Sequence, residues 1–453
     1  MSDIIKTQRR LARKALHNPT HRFDHLYRLI GQEEWIRAAL DAVLANKGAR
    51  TAGIDGVTKR TLAAEEARVT FTRQLRAALR DGRFRPMPVR RVHIPQSAGK
   101  RRPLGSATLK DRVVQRLVKM GLEPLWESDF LNGSNGFRPR RRTMDCIALL
   151  DRDINPRPTY YWVIAGDIKG AFDHIHQGIV LRLLAPRLAD RRRLQLAARV
   201  LKAGVLAGTR FRRTELGTPQ GAIGSPLWAN GSLHQLDGHW WRHYGGLHRK
   251  VKERRRRAHL GHGALMRYAD DWLLLTNGSK AEAQRLRDEV QRFLWDERRL
   301  ALSVEKTHGT QVNDGFDCLG FHLRRDVGPR DRPKRLIRPS RKAPDRLQAK
   351  VRERTARKRF RDPPRLKFGA LNAVRRGWIG YDRHGNAKKI AKDVDYWVNR
   401  RVFLWLQKRH RRPPRRGLAR YQQRQDGRRY NWGLRNGEDG LFLYRMSDQP
   451  LTQ

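Results

Sequence analysis

Ala264-Leu265-Met266-Arg267-Tyr268-Ala269-Asp270-Asp271-Trp272-Leu273-Leu274-Leu275-Thr276 is an apolar run rich in strand formers with two adjacent acids at its centre. Asp is depleted in strands, and two side by side repel each other and resist desolvation, so folding alone gives no reason for them. Two readings stand: a hairpin whose turn happens to be Asp-Asp, chemically idle, and a hairpin that holds carboxylates for divalent metals. A third carboxylate separates them. Tyr161-Trp162-Val163-Ile164-Ala165-Gly166-Asp167-Ile168-Lys169-Gly170-Ala171-Phe172-Asp173 offers it, as a strand-like run that ends on Asp167 and passes into a helix-like segment. Phosphoryl transfer on two metals needs hard carboxylates converging from different elements onto ions about 3.5–4 Å apart. Asp167 at a strand end, with Asp270 and Asp271 at a hairpin tip, would supply them.

The charge points the same way. Lys and Arg number 99 against 44 Asp and Glu, a formal net charge of +55 over 453 residues, and self-repulsion on that scale calls for a polyanion. A membrane is the poorer partner, because there is no run of eighteen apolar residues and no signal peptide, and the cations are dispersed. Nucleic acid is the better one. A 38% hydrophobic content builds real cores, and the length suits about three domains. Cys146 and Cys318 form no metal-knuckle or disulfide pattern, which suggests a reducing, cytoplasmic setting. His174 and His176 read as polar helix positions, not ligands.

Outward from the acids, residues 1–20 read as a basic mobile arm, with a basic amphipathic helix as the alternative. Helical periodicity runs from Phe23 to Leu44. Asn46 to Val57 is a Gly-rich loop, readable as a phosphate cradle or a plain connector. Residues 61–82 return to helix, and Val89 to Thr108 predicts a hairpin with a basic tip at Lys100, Arg101 and Arg102. Asn135-Gly136-Phe137-Arg138-Pro139 is an Arg-rich turn with a stacking ring, and Gly217 to Leu227 is a loop opening a helix. Residues 280–300 predict an amphipathic helix, Leu302 to Thr307 a short strand, and Cys318 to Leu323 another strand in which Gly320 admits a neighbouring backbone. Basic helix over 345–360 and apolar periodicity over 371–410 follow. The aromatics interleaved with cations beyond 411 suit either nucleic acid or a small aromatic core.

In this order the motifs resemble the group II intron-encoded reverse transcriptase and maturase family, from about Phe23 to the end. The marks are Asn46 to Val57, Ile94 to Leu104, Asn135 to Pro139, Asp167 to Phe172, Gly217 to Pro226, Tyr268-Ala269-Asp270-Asp271, Leu302 to Thr307, Cys318 to Phe321 and Gly377-Trp378. The resemblance implies an α+β right-hand polymerase, fingers and palm with an antiparallel palm sheet, then an α-helical thumb/maturase domain and a short basic tail. The implied division is a basic arm (1–20), an N-terminal fingers extension (21–60), fingers and palm (61–330), thumb/maturase (331–410) and a nucleic-acid-binding tail (411–453).

The resemblance also implies roles. Asp167, Asp270 and Asp271 match the metal-binding acids, with the Ile168 backbone as a further ligand of two Mg²⁺ ions, Mn²⁺ being a substitute. Phe172 matches the residue that excludes the ribose 2′-hydroxyl, Gln220 a nucleotide-pocket residue, and Arg102, with Lys100 beside it, a triphosphate contact. Implied partners are a group II intron RNA, target DNA and deoxynucleoside triphosphates, with room for a homodimer. An RNA-binding splicing cofactor without polymerase activity is the alternative. Three positions depart from the family: Gln96 for a usual Lys, Arg140 for a frequent Gly, and Gly224 for an apolar residue. The cysteine-bearing endonuclease segment of some relatives is not expected here.

Overall fold

The computed structural model describes residues 2–95, 101–154, 160–208, 210–212, 216–218, 221–258, 260–328, 333–356, 359, 361–410, 421–425, 428–433 and 441–450. They fall into two units, residues 1–146 with 162–309 and residues 147–161 with 310–453.

The first unit begins with helices α1 (Ser2–His17), α2 (Leu26–Ile30), α3 (Glu33–Ala45) and α4 (Glu65–Arg80). Strands β1 (Val89–Pro95) and β2 (Arg101–Ser106) follow, then the long helix α5 (Leu109–Asp129). Next come α6 (Thr143–Asp153), within which the chain crosses between units, β3 (Trp162–Asp167), α7 (Ala171–His174), α8 (Gln177–Leu184) and α9 (Arg191–Leu201). The series closes with β4 (Val205–Ala207), β5 (Arg210–Arg212), α10 (Ser225–Trp240), α11 (Arg249–Arg257), β6 (Gly263–Tyr268), β7 (Asp271–Thr276), α12 (Lys280–Arg298) and β8 (His308–Gln311).

Apolar spacing explains the helices. In α3, Trp35, Ile36, Ala39, Leu40, Val43 and Leu44 are buried on one stripe. Helix α5 starts where the Thr108 side chain accepts a hydrogen bond from the Asp111 amide, capping an otherwise orphaned donor, and it carries buried residues along most of its length. The expected hairpin forms, with β1 and β2 antiparallel from Arg90 opposite Ser106 to Pro95 opposite Arg101. It joins β4 and β5 in one sheet of order β2-β1-β4-β5. The second sheet has the order β6-β7-β3-β8, with β3 and β6 both antiparallel to β7.

Several expectations change. The basic mobile arm is the helix α1: Ile4 and Ala15 are buried, Leu11 packs on the core, and the Gln8 side chain donates to the Met120 carbonyl at 2.8 Å. Three apolar positions at i, i+7 and i+11 form a thin stripe, enough to dock a helix. The Gly-rich loop after α3 behaves as a connector, because Arg112 takes the Gly48 and Thr51 carbonyls and Arg90 takes that of Ala52. The strand expected over Leu302 to Thr307 reduces to a bridge between Leu302 and Ile168, after which Val304–Lys306 turn helically.

In the second unit β9 (Phe316–Cys318), β10 (Phe321–Val327) and β11 (Pro333–Pro339) form a sheet of order β11-β10-β9. The strand expected over Cys318 to Leu323 is therefore a hairpin corner. Gly320 serves it through its φ of +87° and not through backbone crowding, since a Cβ there would meet only a Tyr381 ring carbon at 3.7 Å. Helices α13 (Lys342–Arg354), α14 (Pro364–Asp382) and α15 (Lys388–His410) follow, then β12 (Gln422–Gln425) paired with β13 (Arg428–Trp432). Tyr421, Trp432, Leu443 and Met446 are buried in one core with Phe368, Leu371, Val398 and Trp405, so these late aromatics serve packing. Asn372 and Asp395 fasten the segment by hydrogen bonds to the backbone of Phe442, Tyr444, Met446 and Ser447.

Two glycines give opposite predictions. A Cβ on Gly231 of α10 would lie 2.5 Å from the Trp126 ring of α5, whereas Gly369 of α14 faces open space. Gly231→Ala is expected to cost about 1–3 kcal/mol through overpacking, and Gly369→Ala to gain about 0.5–1 kcal/mol through helix propensity. Thermal and urea unfolding of the two variants checks both signs.

Candidate active site

Strands β6 and β7 turn through Ala269 and Asp270, with Tyr268 opposite Asp271 at the neck. Ala269, buried and not glycine, has a φ of 60°, a left-handed conformation that costs an L-residue about 1–2 kcal/mol. Arg267 holds the turn in that state. Its side chain has no solvent access and sends all five donors to protein: Nε and Nη2 to the Asp237 carboxylate at 2.9 and 2.6 Å, and Nη1 to Asn230 Oδ1 and the Ala269 carbonyl, both at 2.9 Å. The fifth runs from Nη2 to Ser134 Oγ at 2.8 Å. The turn after α5 completes the seat. Asn135 donates its amide to the Arg267 carbonyl, Asn230 donates to the Gly136 carbonyl, and a Cβ on Gly136 would stand 2.3 Å from the Ala269 nitrogen. Gly136 is therefore fixed by close approach to the hairpin tip.

Strand β3 brings the third acid. Asp167 is directly opposite Asp271, and because its carbonyl accepts from Ser303 on the other edge of the strand, the two acids form a non-hydrogen-bonded pair. Such pairs are the closer kind, with Cα atoms about 4.5 Å apart and side chains on one face. The flanking bonds, Ser303 to Asp167 and Lys169 to Ala301, turn the Ile168 carbonyl toward the hairpin edge. Ile168's side chain is buried. Gly166 leaves space for the Trp272 ring, which a Cβ would meet at 2.2 Å.

Among the described residues, Lys306 brings an ammonium to the acids. Lys306 Nζ donates to Asp167 Oδ2 at 2.5 Å, and the hydrogen bond and charge of Asp167, with Asp271 and Asp270 further off, raise the Lys306 pKa. Desolvation, then the charges of Asp270 and Asp167, push Asp271 up to about 6, although its side chain reaches solvent. Among the described residues no three His, Cys, Asp or Glu side chains are already drawn round one point as metal ligands. The donor set nevertheless suits hard divalent cations: Asp167 and Asp271 face each other across β3 and β7, Asp270 is close enough for its charge to act on Asp271, and a cation already sits against Asp167.

Phe172 follows the Gly170 turn, half-buried against the core, with its carbonyl taken by the Thr218 amide at 2.7 Å. Its ring meets the exposed Phe137 ring edge-on, centroids 6.1 Å apart. Arg102 lies opposite Ile94 in the hairpin. Lys100, Gln96 and Gln220 fall outside the described residues. The other two family departures lie within the described residues, and the arginine at 140 has no structural explanation. Arg140 has a φ of 58°, the conformation for which glycine is the easy choice, and a Cβ on Gly224 would lie 2.8 Å from the Trp228 indole nitrogen. Sequence reading missed Arg267, Asp237, Asn230 and Lys306. A lone arginine between Met266 and Tyr268 in an apolar run was the available signal.

The architecture is that of a polymerase of the right-hand class. The chain belongs to the reverse transcriptase family: the family described as "Reverse transcriptase (RNA-dependent DNA polymerase)" matches residues 94–323. A second, "Group II intron, maturase-specific domain", matches residues 345–422, which joins a maturase to the reverse transcriptase. Protein YkfC of Escherichia coli is 38% identical over 338 residues, covering 71% of this chain and 88% of that one. The group II intron-encoded protein LtrA of Lactococcus lactis is 29% identical over 370 residues, covering 72% of this chain and 60% of its own length. The putative COX1/OXI3 intron 2 protein of Saccharomyces cerevisiae is 23% identical over 363 residues, 71% of this chain and 41% of the relative.

Arg267→Met keeps the bulk of the side chain and leaves Asp237 a buried, uncompensated charge, so it is expected to cost about 3–5 kcal/mol. Adding Asp237→Leu should recover part of that loss, as removal of both partners of a buried pair often does. Comparison of the two variants by urea denaturation tests whether the pair is the seat of the hairpin.

Proposed function

We propose that this reverse transcriptase and maturase works through Asp167, Asp270 and Asp271, which hold two Mg²⁺ ions, or Mn²⁺ in their place, with the Ile168 carbonyl as a further ligand. The observation that carries this reading is the direct pairing of Asp167 and Asp271 across β3 and β7 beside a hairpin tip held in strain. Divalent ions there supply neutralisation of charge on the attacking and leaving oxygens of nucleotidyl transfer. Asp167 exchanges its Lys306 contact for the ions. Arg102 and Lys100 take the triphosphate of the incoming deoxynucleotide, Gln220 lines its pocket, and the Phe172 ring lies under the sugar.

The wider role is copying a group II intron RNA into DNA at its target and binding that RNA to help it fold and splice. Dispersed cations give the affinity, which is therefore salt-dependent. The chain works in the cytoplasm beside the nucleoid; among the described residues no helix is long and apolar enough to cross a membrane. A splicing cofactor without polymerase activity is the weaker reading, because a pure RNA clamp has no use for converging acids on a strained, five-donor seat.

Asp270→Asn or Asp271→Asn is expected to abolish primer extension with Mg²⁺ while RNA binding stays near wild type. Extension at the wild-type rate would remove these acids from the site.

Phe172→Val is expected to raise ribonucleotide over deoxyribonucleotide incorporation tenfold or more, about 1.4 kcal/mol of relieved clash. Single-nucleotide extension, compared as a ratio of kcat/KM so that lost folded protein cancels, measures it. A core-packing role instead predicts lost stability at an unchanged ratio.

A further inference from the structure

Between the helix that carries Asn230 and Asp237 and the acid-bearing hairpin lies a segment with no part in the polymerase site. Trp241–Gly245 continue α10 with one wider π turn, a deviation that recurs at functional positions. Trp241 is 55% exposed, and its indole lies over the following turn, where a Cβ on Gly246 would stand 2.7 Å from the ring. Arg242 and His243 are exposed beside it. Helix α11 follows with the sequence Arg-Lys-Val-Lys-Glu-Arg-Arg-Arg-Arg and buries no residue.

Apart from the N-cap that the His248 side chain gives the Lys250 amide, little internal supports that helix. Hydrophobic burial is absent, and like charges four apart repel, as at Lys250 and Arg254. Among the described residues, three of its cations engage protein groups. Lys252 donates to the Gly245 carbonyl at 2.8 Å, Arg255 donates to the Gly261 carbonyl and lies over the Tyr244 ring, and Arg249 pairs with Glu253 at 3.5 Å. Lys250, Arg254, Arg256 and Arg257 are exposed, and no acid pairs with them among the described residues. The Lys252 bond and the Trp241 ring share the Gly245–Gly246 turn, so the exposed indole and the cationic helix form one continuous surface.

We infer that Trp241 and helix α11 form a docking surface for a loop of structured RNA, the cations on its phosphates and the indole on one unstacked base. Unpaired bases stack on an aromatic face without regard to identity, and cations beside it follow the strand. A lipid surface fits poorly, because the helix has a single apolar residue, Val251, and no apolar stripe. The inference deepens the RNA-binding half of the proposed function and rests on it, but not on the aspartates.

Two variants of the full chain test it, Trp241→Ala and the triple Arg254→Gln, Arg256→Gln, Arg257→Gln, with melting curves to confirm folding. The probes are an RNA hairpin with a purine loop, a fully paired RNA of equal length, the hairpin's DNA counterpart, phosphatidylserine vesicles, and primer extension on poly(rA)/oligo(dT). The triple variant is expected to bind the RNA hairpin about tenfold or more weakly at physiological salt, with a slope of log affinity on log salt lower by about 2. Trp241→Ala should lose about fivefold or more on the hairpin and nothing on paired RNA. Extension by both variants should keep its kcat/KM, and wild type should prefer the RNA hairpin to the DNA one. Unchanged hairpin binding in either variant, an equal fall in extension, equal or tighter binding of the DNA hairpin, or a stronger effect on vesicles would overturn the inference. Asp270→Asn, run alongside, separates the two readings: loss of extension with hairpin binding intact supports both, and wild-type extension would sink the aspartate assignment alone.

Discussion

A guanidinium with no access to water is the interaction on which the candidate site depends. Isolated, Arg267 would carry a prohibitive desolvation cost; it is tolerable because each of its five donors meets an acceptor at hydrogen-bond distance. Those acceptors come from three places: the turn after α5 (Ser134), helix α10 (Asn230 and Asp237), and the hairpin itself (Ala269). One residue thus ties a helix, a turn and a strand tip into a fixed arrangement, and the strain at Ala269 persists because its surroundings over-determine it. Lysine could not substitute, since a single ammonium lacks the planar fork that engages a carboxylate bidentately while reaching two further acceptors.

The acids set the second constraint. In a chain of net charge +55, Asp167, Asp270 and Asp271 stand near one another at the strand ends, where desolvation and then the neighbouring charges lift Asp271 to about 6 and Lys306 bonds to Asp167. Burial and like charge make the site costly as an apo arrangement, which is the ordinary mark of a site shaped for cations that complete it. The same contrast separates the acids from α11, where Arg254, Arg256 and Arg257 are exposed and meet no acid among the described residues.

Local pattern succeeded where a segment's own periodicity decided its state, as in α3 with its single buried stripe and in the β1–β2 hairpin. It failed where the deciding partner lay far away in the chain. The first helix was legible only weakly, because its three apolar residues become a docking face only once α5 is beside them, where Gln8 donates to the Met120 carbonyl and Ser128 donates to the Ala12 carbonyl. The segment after Leu302 resembles a strand, yet Ser303 spends its amide on Asp167 and the chain then turns helically, carrying Lys306 to the acids. The aromatics beyond 411 were ambiguous because a ring reads alike whether it awaits a base or fills a core; Trp432 and Tyr421 are buried.

The sequence by itself determined the class of protein, the strand-borne acids and their order. Paired carboxylates inside apolar strand patterns have no folding reason, and the order of the surrounding motifs resembles one family, which implies the architecture. Only the tertiary structure decided that Asp167 faces Asp271 in the closer kind of strand pair, and that Arg267 and not a neighbouring residue fixes the hairpin tip. Those outcomes depend on register and on the meeting of elements more than a hundred residues apart. Local propensity carries no information about either, because it is a property of each segment alone.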